Sequence, residues 1–331
     1  MRKFTLALAP VLAPVLVTLF ACIGLTGPAH AAPAAGKRFH DCANCPEMMP
    51  LPAGSFMMGT SPESEISSGL PAAQSGRAAP VHKVTFAKGF AMGIYPITVA
   101  QFRTFVEESG YRTSPSCVSQ HMSDGHFIYE NTLGATWRNP GFPQGDDHPV
   151  VCVSGEDAEA YAAWLSKKTG HAYAVPNEAQ YEYALRAGTT THYFWGNERD
   201  ATACEYSNQP DLDQAAAMAG APTGPQYRFQ CRDGYAWTSP VGHYKPNPWG
   251  LHDMQGNIWE WTADCLNDNY TGAPSDGSTW RAGDCDGRMS RGGSYGNAAV
   301  SSYAGIRAPR HVSYVGHSWG FRVVRTEPIA R

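Results

Sequence analysis

The sequence predicts a single α+β domain with little regular secondary structure, stapled by disulfides. Three observations predict it: a globular but loop-rich composition, eight cysteines behind an export signal, and three legible helices separated by long turn-rich stretches. Of 331 residues, 43% are hydrophobic and 16% charged, which excludes a disordered or coiled-coil chain. Thirty-four glycines, 25 prolines and 11% aromatics put much of the shape into tight turns and rigid rings. The formal net charge of −4, with only 25 Lys and Arg, leaves no concentrated basic face and so no nucleic-acid partner.

The chain opens Met1-Arg2-Lys3 and runs uncharged through Leu, Ala and Val to Ala29-His30-Ala31. That order is a basic n-region, an apolar h-region and an Ala-x-Ala cleavage site, so residues 1–31 are expected to be a Sec-type signal peptide. A retained anchor is the rival reading; Pro10 and Pro14 would break its helix, and no basic stop-transfer cluster follows. A lipoprotein cut before Cys22 is a further alternative, which bulky Phe20 disfavours. Cleavage leaves 23 basic against 29 acidic residues, a charge of −6, and implies a periplasmic or secreted protein free of the membrane. Residues 32–43 read as a leader, 44–326 as the domain and 327–331 as a tail. Eight cysteines then remain, and pairing sequence neighbours suggests 42–45, 117–152, 204–231 and 265–285. The alternative use of Cys42 and Cys45 is a zinc site, but no second CxxC or HxxxH complements it.

Along the domain, Ser61–Pro80 reads as an exposed loop, being rich in Ser, Gly, Ala and Pro. A first helix is predicted over Thr98–Ser109, with Phe102, Phe105 and Val106 on one face and Gly110 as the stop. A second begins at Ser154-Gly155-Glu156-Asp157, carries Ala158, Tyr161, Trp164 and Leu165 at helical spacing, and ends by Gly170. A third takes Asn177 as N-cap with Gln180 at N3 and stops at Gly188. Short strands are expected at Val81–Phe86 and Gly320–Val324. No repeat and no composition break separates two cores.

Several blocks then carry a resemblance. Leu51-Pro52-Ala53-Gly54-Ser55-Phe56-Met57-Met58-Gly59, Val175-Pro176-Asn177-Glu178-Ala179-Gln180-Tyr181, Asn247-Pro248-Trp249-Gly250-Leu251 continuing through Asp253-Met254-Gln255-Gly256-Asn257-Ile258-Trp259-Glu260-Trp261, Arg291-Gly292-Gly293-Ser294 and Gly320-Phe321-Arg322 follow one another in order. Together they resemble the formylglycine-generating enzyme (sulfatase-modifying factor) family over about residues 44–326. The resemblance implies one compact α+β domain with a C-type-lectin-like core. Gly155, Asn177, Gln180 and Tyr181 depart from the family pattern at helix-start and core positions and read as drift within the scaffold.

The resemblance also implies structural calcium. One site would take Asp253 and Glu260 by side chain and Gly256 and Ile258 by carbonyl; a second would take Asn208 and Asp233 by side chain and Gln209 and Tyr235 by carbonyl. Hard cations accept six to eight oxygens, many of them main-chain, which suits such turns. The plainer reading of Asp253 and Glu260 is that they cap turns or pair with arginines.

The family's reaction oxidises a substrate cysteine with copper held by two thiolates five positions apart, just past the Arg-Gly-Gly-Ser block. Those positions fall on Asn297 and Ser302, the family's active-site histidine falls on Ala298, and no cysteine follows Cys285. Copper is therefore not expected, because hydroxyl and amide groups do not replace soft thiolates. One exported branch of the family lacks these cysteines and acts in maturing the chromophore of pyoverdine, a peptide siderophore. The resemblance thus implies an oxidoreductase acting on a peptide-like small molecule or exported peptide, as a monomer or weak dimer. Its groove would hold Trp259, Glu260, Ser294, Tyr295, Asn297 and Ser302, with His311 or His317 nearby. Glu260 would be a base only if calcium left it free, Ser294 and Asn297 equally suit a turn after Gly292-Gly293, and a lone loop histidine is commonly solvated or satisfied. The alternative is a non-catalytic ligand- or protein-binding module on the same fold. Iron-dependent C–S bond formation, as in the sulfoxide synthases of the superfamily, is not expected, since their iron histidines come from an N-terminal helical domain where this chain reads as a signal and leader.

Overall fold

Helices form in this chain where a polar cap meets an apolar stripe, and strands form as short runs paired over long sequence distances. The computed structural model describes residues 35–327 without 125 and 219, so the signal-peptide prediction and the last four residues lie outside the described range. In chain order the elements are β1 (Met48–Leu51), β2 (Gly54–Met58), α1 (Pro62–Ser67), β3 (His82–Phe86), β4 (Phe90–Gly93), α2 (Val99–Ser109), β5 (Ser116–Ser123), β6 (His126–Leu133) and α3 (Gly155–Thr169). They continue with β7 (Tyr173–Ala174), α4 (Glu178–Arg186), α5 (Ala203–Tyr206), α6 (Leu212–Ala217), β8 (Trp259–Leu266), β9 (Asp284–Arg291), β10 (Ala308–His311), β11 (Trp319–Gly320) and β12 (Val324–Arg325).

The three predicted helices are α2, α3 and α4. Each starts in a reciprocal capping box, Thr98 with Gln101, Ser154 with Asp157 and Asn177 with Gln180, which satisfies two orphan backbone donors per helix. Gly110 and Gly170 end α2 and α3 in the left-handed conformation. In α4 that position is taken by Ala187, one residue before the predicted stop at Gly188. Strands β1, β4, β12 and β7 form one four-stranded sheet, and β10, β9, β8 and β11 a second, in which β8 and β11 run parallel. Phe102, Phe105, Trp137, Tyr161, Trp261 and Phe321 belong to one buried cluster; Tyr181, Tyr183, Trp249 and Met254 belong to another.

All four cysteine pairs close as the sequence suggested, 42–45, 117–152, 204–231 and 265–285. Cys42 and Cys45 are thereby removed as zinc ligands, since the metal needs free thiolates. Ser61–Pro80 is not a plain loop: Ser61 caps α1, and within that helix Glu65 is buried, accepting from Tyr303 Oη at 2.6 Å and Gly76 N at 2.6 Å. The predicted Gly320–Val324 strand divides into β11 and β12, the intervening residues turning Arg322 into the core. Among the described residues, no helix is long and apolar enough to cross a membrane.

Candidate functional site

The site loop is fixed at both ends by buried charge. β9 delivers Arg291, fully buried, whose guanidinium meets Glu182 and Glu178 on α4, Tyr270 Oη at 3.0 Å, and the carbonyls of Ala304 and Gly305 at 3.1 and 3.2 Å. Arg307 sends Nε and Nη2 to the two oxygens of Glu178 at 2.7 and 2.8 Å. Burial alone would raise Glu178, but Arg307 and Arg291 outweigh it and hold the carboxyl below its ordinary value. Gly292, at φ +92°, makes the turn out of β9; a Cβ there would come within 2.5 Å of Tyr181 Oη.

Past that turn, Asn297 becomes a polar hub. Its Oδ1 accepts from Trp259 Nε1 and from Ser294 Oγ, each at 2.8 Å. The hub opens on a cavity of about 610 Å³ whose lining includes Trp259, Asn297, His317 and Trp319, with Tyr129 and Tyr227 exposed at its edge. Tyr295 is fully buried, and its hydroxyl lies 2.5 Å from Nδ1 of His317 and 3.2 Å from that residue's carbonyl, fixing the imidazole. Burial pushes His317 down to about 4, so the ring is neutral at pH 7.

Of the residues predicted for the groove, Trp259 and Asn297 line the cavity, Ser294 holds Asn297, and Tyr295 holds His317. Ser302 is fully buried beneath Gly293, with its Oγ meeting no protein partner among the described residues. Glu260 corrects the prediction. It is fully buried outside the cavity lining, and Arg322 donates Nε to its Oε2 and Nη2 to its Oε1, both at 2.7 Å, while Tyr181 adds a third bond at 3.2 Å. A carboxylate so engaged is no general base; the arginine-pairing reading is what the structure realises. His311 is exposed and bonded to Ser313 Oγ at 2.8 Å, away from the cavity lining.

The two oxygen-rich turns lie against each other. Asn257 N donates to Asn208 O at 2.7 Å, and a Cβ on Gly256 would come within 2.3 Å of that same carbonyl. In the first turn, Asp253 Oδ2 accepts from Gly242 N at 2.8 Å and the Gly256 carbonyl accepts from Ile258 N at 2.8 Å. Around the second, Asp233 accepts from Gln209 N at 2.7 Å and Tyr235 N at 3.0 Å, while Asn208 Oδ1 is buried with no protein partner. Asp211, which the sequence reading missed, caps α6 and accepts from Asp233 N at 2.6 Å. Burial, with Asp211 beside it, pushes Asp233 up to about 8. Cys204 adjoins this pair but is committed to its disulfide.

Fold, loop blocks and site define the class: the chain belongs to the family described as "Sulfatase-modifying factor enzyme 1-like domain", matched over residues 34–327. It is similar to the formylglycine-generating enzyme of Mycobacterium tuberculosis, 34% identical over 65% of this chain and 73% of that protein. It is also similar to the inactive C-alpha-formylglycine-generating enzyme 2 of Bos taurus, 31% identical over 77% and 78%. Among solved structures it resembles PvdO from Pseudomonas aeruginosa, at 35% identity and a TM-score of 0.70 over 89% of this chain and all of that one. The chain spans 66–73% of the length of the first curated relatives it matches.

Sequence reading missed the cationic lining of the cavity: Arg77, Arg228, Arg307 and Arg310. For Arg307 and Arg310 a signal was present, since residues 287–326 carry six arginines and no carboxylate; Arg77 and Arg228 come from distant segments that carry no such run. Tyr129 was missed because β5 and β6 gather polar and apolar residues in short runs, as in Phe127-Ile128-Tyr129 followed by Glu130-Asn131-Thr132, so no period-two alternation marks the strands.

A His317 value lowered in the folded state means that the unfolded chain takes up a proton first as pH falls. Stability conferred by the neutral ring is therefore complete above about pH 6.5 and is lost between there and pH 4, amounting to about 3 kcal/mol. Relative to His317→Gln, the parent chain should lose that much unfolding free energy over this window, and an NMR midpoint for the ring near 6.5 would contradict the assignment.

Proposed function

We propose that the chain is an exported, calcium-fastened member of its family that oxidises a peptide-like metabolite of the siderophore-chromophore kind without copper. The observation that carries this is the cavity beside Asn297, one of the two positions on which the family resemblance puts a copper thiolate. There Asn297 stands bonded to Trp259 and Ser294, with the neutral His317 also in the lining. All eight cysteines among the described residues are in disulfides, so no thiolate is available to a soft metal. The reaction consistent with such a site removes two hydrogens from an electron-rich ring. Two electrons and two protons pass to dioxygen, which leaves as hydrogen peroxide. The chain's part is to stack the ring against Trp259 or Trp319, orient its polar edge at Asn297, and take a hydrogen bond or proton on His317. Similarity to PvdO, and the exported branch to which the missing cysteines point, supports the reading. The disulfides fit an oxidising compartment.

Deleting the gene should leave exported metabolites two hydrogens heavier. With the purified chain, a dihydroxyphenyl peptide precursor and dioxygen should give peroxide in equal amount to product. His317→Gln should slow turnover roughly 10²-fold. Turnover unchanged in that variant and in Asn297→Ala would leave the chain a binding module, as the inactive bovine relative's name allows.

Calcium would be held by Asn208, Asp233 and the carbonyls of Gln209 and Tyr235, where a buried amide oxygen lacks a protein partner and two carboxylates adjoin. The turn of Asp253, Gly256 and Ile258 would hold a second ion, with Glu260 contributing less because Arg322 already neutralises it. Such ions fasten loops and supply no redox chemistry. Mass-spectrometric metal analysis should find one or two calcium ions per chain. Chelation should lower the melting temperature, by the equivalent of about 2.7 kcal/mol when calcium had stood at 100 times its Kd, and Asn208→Ala should remove one equivalent. A chain free of calcium and indifferent to chelation would refute the assignment.

A further inference from the structure

We infer that the cavity selects a ligand bearing an oxyanion, carboxylate or phosphate, which Arg310 and Arg77 receive at its mouth. The inference deepens the proposed function and rests on the cavity being its substrate site. Four arginines and no Asp or Glu line the cavity. Arg307 is neutralised by Glu178. Among the described residues, neither Arg77 nor Arg310 has a carboxylate within 4.0 Å of its guanidinium; Arg77 is exposed at the edge and Arg310 is half-buried. Arg310 is also held in place before any ligand arrives. Its guanidinium sits 4.8 Å from the Trp319 ring and 5.1 Å from that of Tyr314, and Nη1 donates to the Pro309 carbonyl at 2.8 Å. A fixed planar fork over an aromatic wall matches an oxyanion attached to a flat ring better than any neutral or cationic group. Arg228, buried in the same lining, adds to the positive field.

The test is direct binding, read by quenching of tryptophan fluorescence and by calorimetry, with 4-hydroxyphenylacetate, its primary amide and 4-hydroxyphenyl phosphate as probes. The acid or the phosphate should bind at least about tenfold tighter than the amide, as a charge-assisted bidentate pair implies, and added salt should erode the difference. Which anion binds tighter identifies the source of the oxyanion. Arg310→Gln and Arg77→Gln should each remove about tenfold of the acid-over-amide preference, read as the ratio of the two affinities in the same variant; both side chains reach the surface, and unchanged melting temperatures will show that the variants fold. Equal affinity for acid, phosphate and amide, or no binding of any of them, overturns the inference. Because binding is read without turnover, an anion preference with no peroxide formed would keep this inference and discard the oxidation, whereas turnover of charged and neutral substrates alike would do the reverse.

Discussion

The ion pairs that join Arg291 and Arg307 to Glu178 and Glu182 set the constraint on which the rest depends. None of these four groups keeps appreciable contact with water. Removing one partner from such a pair commonly costs about 3–5 kcal/mol, because the other is left charged in a poor solvent. The cost is what gives the network its grip. It ties the end of β9 and the start of β10 to a single helix, so the sixteen-residue segment from 292 to 307 has fixed ends although it contains little regular structure. Glu260 and Arg322 do the same for the adjoining segments, joining β8 to the loop before β12.

With its ends fixed, the loop can vary in the chemistry it presents without losing its shape. Hydrogen bonds from Trp259 and Ser294 to Asn297, and between Tyr295 and His317, hold side chains that are all neutral at pH 7. Around this neutral patch the lining is cationic and aromatic. Under the proposed function such a site positions a ligand and manages protons, whereas the formylglycine chemistry implied by the family resemblance needs a pair of soft donors. Its hard oxygen donors are found elsewhere, in the turns of Asn208, Asp233 and Asp253.

Local rules made much of the scaffold legible in the sequence. The capping signals read at Ser154 and Asn177 form capping boxes, as does Thr98 at the predicted start of the first helix, because that bond lies within three residues of chain. The disulfides were legible because each closes a loop between successive cysteines. What escaped was long-range. Nothing near Glu65 indicates that Tyr303 will cover it, and nothing near Glu260 names Arg322, 62 residues away, as its partner. Arg307 and Arg310 were visible only within a run without carboxylates, and Arg77 and Arg228 not even there; which members of the run would pair inward, as Arg291 and Arg322 do, and which would face the cavity depended on the fold.

We propose that positions 297 and 302, on which the family resemblance puts two thiolates, stand where two sulfurs would share one metal, and that the loss of those sulfurs is what removed copper. At one of those positions Ser302 Oγ is buried beneath Gly293 with no protein partner among the described residues. Titration of the Asn297→Cys/Ser302→Cys double variant with Cu(I) against a competing chelator measures this most directly. The account predicts one tightly held Cu(I) per chain in the folded variant and none in the parent. A folded variant that takes up no Cu(I), or a parent that binds it as tightly, would contradict it.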